Sequence, residues 1–215
     1  MGFWDYVSSR QQQLLSDTYQ HASAVFQCML IAVLLGVGLG ALTYRSERAG
    51  RLATLVTGTV LTIPSYALLG LLIPLLGLGV PPTVTALVLY ALLPIVRNSI
   101  VGLRGVDPAL VDAARGIGMT GLARLARVEL PIAWPTILAG IRVSTQMSMG
   151  ILAIAAYASG PGLGNEIFAG IASLGSANAL NEVLAGTLGI VVLALLFDAA
   201  LVLLGRLTVS AGIRV

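Results

Sequence analysis

The chain has 215 residues, 57% of them apolar and only 10% charged, with a mean hydropathy of +0.96. One core in a globule of this size cannot hide so many apolar side chains, so the excess must face lipid or partner subunits, which excludes an ordinary soluble domain. All twelve basic residues, set against nine acids, are arginine, and without a lysine the phosphate-cradling pattern Gly-x4-Gly-Lys-Ser/Thr cannot occur, which excludes a Walker-type ATP site.

Residues 1–21 form an amphipathic lead-in carrying Trp4, Tyr6, Tyr19 and one arginine, Arg10. No small-residue cleavage site follows the first apolar run, so no cleaved signal peptide is expected. Gly2 lacks the Ser or Thr four positions on that myristoylation needs, Tyr6 standing there instead. His21, the only histidine, is expected at the membrane interface, and Cys28, the only cysteine, as a packed and inert thiol. With one of each, the chain offers no multi-ligand metal site, no Ser-His-Asp arrangement and no internal disulfide.

A membrane-spanning helix needs about 20 mostly apolar residues. Five windows qualify: 22–44, 52–76, 83–103, 134–157 and 183–204. Arg45, Arg48 and Arg51 fall between the first two windows. Arg104, Arg115, Arg124 and Arg127 fall between the third and fourth, and Arg206 and Arg214 follow the fifth. Short arginine-rich loops stay in the cytoplasm. All nine lie on one side if the N-terminus is outside and the C-terminus inside, so the fold expected is an all-α integral membrane protein of five spans with that orientation. The opposite loop, 159–181, is rich in Gly, Ser and Asn, and its apolar patch at 167–171 is expected to form a short re-entrant or interfacial helix.

Gly36 and Gly40 in the first span allow close helix approach. Pro64 and Pro74 interrupt the second span and Pro94 the third, favouring kinks or broken helices of the kind that line a transport path. Arg142 and Asp198 lie inside spans, roughly 10 to 12 Å from the same ends of their helices at about 1.5 Å per residue. Intramembrane charges are paired or functional by default. The matching depth predicts an Arg142–Asp198 pair joining spans four and five.

The polar stretch 107–131 puts six charged side chains into 25 residues between long, almost wholly apolar segments. Asp107 is an N-cap and Pro108 suits the first helical position. Leu110, Ala113, Ala114 and Ile117 then recur at helical spacing opposite Asp112 and Arg115. Gly116, Gly118 and Gly121 end this helix, and a second short helix is expected over 122–129, stopped by Leu130-Pro131. Taken by periodicity alone, such a pair lies on the membrane surface.

The spacing Asp112-Ala113-Ala114, Gly118, Val128, Leu130 and Pro131 resembles the loop Glu-Ala-Ala-x3-Gly-x9-Ile-x-Leu-Pro of binding-protein-dependent ABC importer permeases. Ile63-Pro64-Ser65, Ala91-Leu92-Leu93-Pro94-Ile95-Val96-Arg97-Asn98 and Ala139-Gly140-Ile141-Arg142 look like the branch that carries osmoprotectants: glycine betaine, carnitine, choline and proline. The usual Ala-Gly-Gly-Leu-Gly of the outer loop is here Ser159-Gly160-Pro161-Gly162-Leu163-Gly164, a departure that bears on the substrate.

The resemblance implies a non-catalytic permease core over 22–207 in a prokaryotic plasma membrane, with a cytoplasmic coupling loop at 104–134 and a tail at 208–215. It implies a second permease subunit, an extracytoplasmic solute-binding protein, a cytoplasmic ATPase pair that holds ATP and magnesium, and no nucleic acid. Asp112, Ala113, Ala114, Arg115, Gly118, Leu130 and Pro131 would couple to the ATPase. Pro64, Ser65, Tyr66, Tyr90 and Tyr157 are candidates for the translocation path, the tyrosines because aromatic faces attract quaternary ammonium groups. The same architecture could import another small solute such as an amino acid. A self-sufficient channel or secondary transporter would not need an ATPase-docking loop and would show internal repeats, and a membrane enzyme is disfavoured by the scarcity of ionisable groups at depth.

Overall fold

The computed structural model describes residues 2–209, so Arg214 and nearly all of the tail 208–215 lie outside the described residues. Among the described residues every regular element is helical. They are α1 (Phe3–Ser9), α2 (Gln11–Thr43), α3 (Glu47–Thr62), α4 (Ser65–Leu76), α5 (Val80–Arg104), α6 (Pro108–Gly116), α7 (Gly121–Arg124), a π-helical turn (Leu125–Glu129), α8 (Leu130–Ala155), a 3-10 turn (Ala156–Ala158), α9 (Gly164–Ala172) and α10 (Ala179–Thr208).

By length and composition α2, α5, α10 and the continuous helix from Gly121 to Ala158 can each cross a membrane, and α3 with α4 makes a fifth, bent span. The lead-in is not a unit apart. Nothing between Gln11 and His21 breaks a helix, so α2 starts eleven residues early and the amphipathic segment runs straight into the first span.

The second window, 52–76, is not one helix either. Ile63, held extended by the proline after it (φ −76, ψ 126), ends α3, Pro64 caps α4, and the two helices meet at 95°. Pro74 sits inside α4 without ending it.

α5 is the spine of the bundle, packed against α2, α3, α4 and α8. Small residues make this possible. A Cβ on Gly36 would lie 2.7 Å from the Ile95 side chain, and one on Gly140 would lie 2.6 Å from the Pro94 carbonyl oxygen, so α2 and α8 close onto α5 at glycines. The Gly36/Gly40 pair therefore serves packing within the chain. Ser144 donates to the Ala91 carbonyl at 2.7 Å, fastening α8 to α5 near the proline-disturbed turn. By contrast α10 rests on α8 and α9 with most of its surface uncovered.

Candidate functional site

The polar stretch gathers at one end of the bundle. Asp107 accepts from the Ala109 amide at 2.8 Å and starts α6. At its far end Gly118 adopts φ +84°, a left-handed conformation that a side chain would strain, and the Met119 amide closes back on the Ala114 carbonyl at 3.1 Å. Thr120 accepts from the Ala123 amide at 3.3 Å and starts α7.

Arg115 and Asp112 pair at 3.1 Å on the open face of α6. Ala113 is exposed, but Ala114 is buried at 5% exposure, so it seats the helix on its own chain and does not face outward. Leu110, Ile117 and Leu122 are 47%, 78% and 77% exposed. The segment thus presents large apolar side chains around a charged pair, with nothing among the described residues covering them.

The expected stop at Leu130-Pro131 does not occur. The Leu130 amide reaches back five residues to the Leu125 carbonyl, and this widened turn admits the proline ring, which would otherwise strike the carbonyl four residues before it. α7 therefore continues through the π turn into α8, and the fourth span, expected from residue 134, is one helix from Gly121 to Ala158.

The same turn builds a buried charge cluster that the sequence did not reveal. In an α-helix residues five apart point about 140° from each other, yet here Arg124 Nε donates to Glu129 Oε1 at 2.7 Å. Both are buried, at 6% and 2% exposure. The Glu129 carboxylate also accepts from the Tyr44 hydroxyl and lies 3.6 Å from Arg45 Nη2. Arg45 Nε donates to the Tyr44 oxygen at 2.6 Å with its guanidinium over the ring. Arg104, at the end of α5, donates to the Tyr44 and Ser46 carbonyls at 2.7 and 3.1 Å. The corner between α2 and α3 is thereby locked to α5 and to the polar segment. The one signal available in sequence was a single acid, Glu129, set directly before an apolar span beside two arginines.

Arg142 and Asp198 meet in a bidentate pair, Nε to Oδ1 and Nη2 to Oδ2 both at 2.9 Å, with Gln146 donating to Oδ1 at 3.2 Å. Of the candidate path residues, Tyr66 and Tyr157 come together with ring centroids 4.6 Å apart, and Phe168 of α9 joins them 6.4 Å from Tyr157. Tyr66 and Tyr157 are 44% and 61% exposed. Pro64 and Ser65 sit at the adjoining break. Tyr90 does not belong to this group: it is buried and its hydroxyl donates to the Ile63 carbonyl at 2.6 Å, holding the bend between α3 and α4.

At the opposite end of the bundle, Tyr6 donates to Glu166 Oε2 at 2.6 Å and Gln13 donates to Oε1 at 2.9 Å. Burial, then the Glu166 hydrogen bond, pushes the Tyr6 hydroxyl up to about 12, so it remains a donor at neutral pH. Arg10 donates to the Tyr6 oxygen at 3.1 Å and lies 3.8 Å from Glu182. His21 is not interfacial but wholly buried, with Nε2 3.2 Å from the Met149 carbonyl, because the Gly162 turn packs over it. Among the described residues no group of three or more His, Cys, Asp or Glu is placed to hold a metal ion.

Comparison with known proteins accounts for this architecture. Residues 32–209 match the family described as binding-protein-dependent transport system inner membrane component. The osmoprotectant import permease protein OsmW of Salmonella typhimurium is 42% identical over 217 residues, covering 97% of this chain and 98% of that protein. The choline transport system permease protein OpuBB of Bacillus subtilis is 34% identical over 209 residues, covering 97% and 94%. Among solved structures, the MetNI methionine ABC transporter in inward-facing conformations superposes with a TM-score of 0.81 at 20% identity, covering 94% of this chain and 99% of the matched one, which establishes a shared fold. The end-to-end match to these permeases, with five candidate spans and an exposed polar helix between the third and fourth, means that the chain belongs to the family of inner membrane components of binding-protein-dependent transport systems, as a multi-pass membrane protein.

Proposed function

We propose that this chain is the permease subunit of an ATP-driven importer for small osmoprotectants of the glycine betaine, choline, carnitine or proline type. The observation that carries the reading is α6, whose Leu110 and Ile117 stand exposed around the Asp112–Arg115 pair in a chain with no Walker-type site of its own. A helix of that kind fits a cleft on a separate ATPase. Apolar side chains supply the buried contact, Asp112 and Arg115 supply charge-assisted hydrogen bonds, and Ala113 and Gly118 allow close approach. The substrate class comes from the relatives, which are osmoprotectant and choline permeases by name.

The arginine asymmetry supports an N-terminus outside and α6 in the cytoplasm. Closure of an ATPase pair on ATP and magnesium then pulls α6, and the Glu129 cluster passes the displacement to α2, α3, α5 and α8 as rigid bodies. A second permease copy or paralogue completes the path, with Tyr66 and Tyr157 at its outer end and an external binding protein delivering solute there. The Arg142–Asp198 pair holds α8 and α10 together.

Reconstitution with the ATPase and binding protein tests this. Uptake of labelled glycine betaine that requires ATP, and that betaine, choline, carnitine or proline displaces, is the expected result. Uptake without ATP, or competition by none of the four, contradicts it.

A further inference from the structure

Arg97 lies in α5 seven residues before the helix ends at Arg104, about 10 Å into the span, and Arg142 lies within α8. The two arginines are treated differently. Arg142 is closed by Asp198, whereas Arg97 is exposed and, among the described residues, has neither a hydrogen-bond nor an ion-pair partner.

An unpaired guanidinium at that depth cannot rest against hydrocarbon; it needs water or a counter-charge. Arg97 borders two open cavities. One, of about 350 Å³, separates it from Arg51 and Thr54 of α3. The other, of about 470 Å³, extends past Asn98 to Val143 of α8.

The first cavity holds three arginines and one acid, and that acid, Glu47, is taken up by Arg51 at 2.8 Å, so the space is electropositive. Further along the seam between α3 and α5, Gly58 faces Leu93 and the Ile63 carbonyl meets Tyr90. The seam then reaches the break where Tyr66 stands beside Tyr157. A free guanidinium beside an electropositive, open space suits the carboxylate of a solute that moves along this seam.

We propose that Arg97 is a substrate-contacting residue that takes the carboxylate of the transported solute in its planar fork, and so favours carboxylate-bearing zwitterions over carboxylate-free cations such as choline. This rests on the transport reading above. In the complete reconstituted importer, labelled glycine betaine and choline uptake are compared for wild type, Arg97→Gln and Arg97→Lys, with complex assembly and binding-protein-stimulated ATP hydrolysis followed in parallel.

The expected result is a fall of at least tenfold in the ratio of betaine to choline uptake for Arg97→Gln, partial recovery in Arg97→Lys, and assembly and ATP hydrolysis within twofold of wild type. If the wild type carries betaine alone, a tenfold loss of betaine uptake with intact assembly and the same lysine recovery supports the assignment. Equal losses for both solutes, losses that follow failed assembly, or retained betaine uptake overturn it, the first two marking a counter-charge from a partner subunit or lipid. A wild-type importer that takes up none of betaine, choline, carnitine and proline overturns the transport reading and this assignment with it.

Discussion

The two ends of the bundle each bury a glutamate under a tyrosine hydroxyl, but Glu129 is met directly by Arg124 and Arg45, whereas Glu166 is met by the neutral donors Tyr6 and Gln13, with Arg10 one step behind. The first arrangement fixes an ion between several helices and makes a stiff joint. The second ties the seven-residue α1 to α9 by hydrogen bonds alone, and is the softer fastening. The proposed pull of an ATPase on the first end would need that end to be stiff, and the comparison gives predictions of decreasing size.

The largest effect belongs to Glu129. Glu129→Ala leaves Arg124 buried without its carboxylate, and breaking a buried pair from one side costs about 3–5 kcal/mol. Denaturant or thermal unfolding of the purified protein in detergent reads this directly. A loss below about 1 kcal/mol would mean that the cluster is not a joint. At the other end Tyr6→Phe removes one donor from Glu166 and leaves Gln13, so the cost is about 2 kcal/mol, typical of one hydrogen bond to a charged group. If Tyr6→Phe matched or exceeded Glu129→Ala in the same assay, the stiff-and-soft distinction would be wrong. Asp107→Ala, which strips the exposed cap from α6, is expected to cost about 1 kcal/mol and to show as faster amide exchange confined to the first turn of that helix.

This contrast also marks what the chain discloses in one dimension. The apolar windows, the arginine asymmetry and the polar segment with its Asp107-Pro108 start were plain in the sequence, because each depends on composition or on neighbours within one helical turn. The departures arise where tertiary structure changes the local period. Arg124 and Glu129 meet only because a π turn replaces an α turn, so helical spacing set them on different faces.

Pro64 signalled an interruption, but the 95° bend is held by Tyr90, twenty-seven residues away, on the Ile63 carbonyl. Ala113 and Ala114 were equivalent as letters. Only packing separates the exposed one from the buried one. Arg97 stood inside a recognisable motif, and its solitude became visible only beside Arg142, which has found Asp198.

The central claim is that the open face of α6 is the surface on which a separate ATPase docks. Ile117 is 78% exposed and lies outside the Glu129 cluster, so Ile117→Asp leaves the fold intact while placing a charge in the contact. The measurement is the amount of ATPase retained with this chain on co-purification, alongside its melting temperature. The account predicts at least a tenfold loss of retained ATPase with an unchanged melting temperature. Full retention together with undiminished ATP-dependent uptake would contradict it.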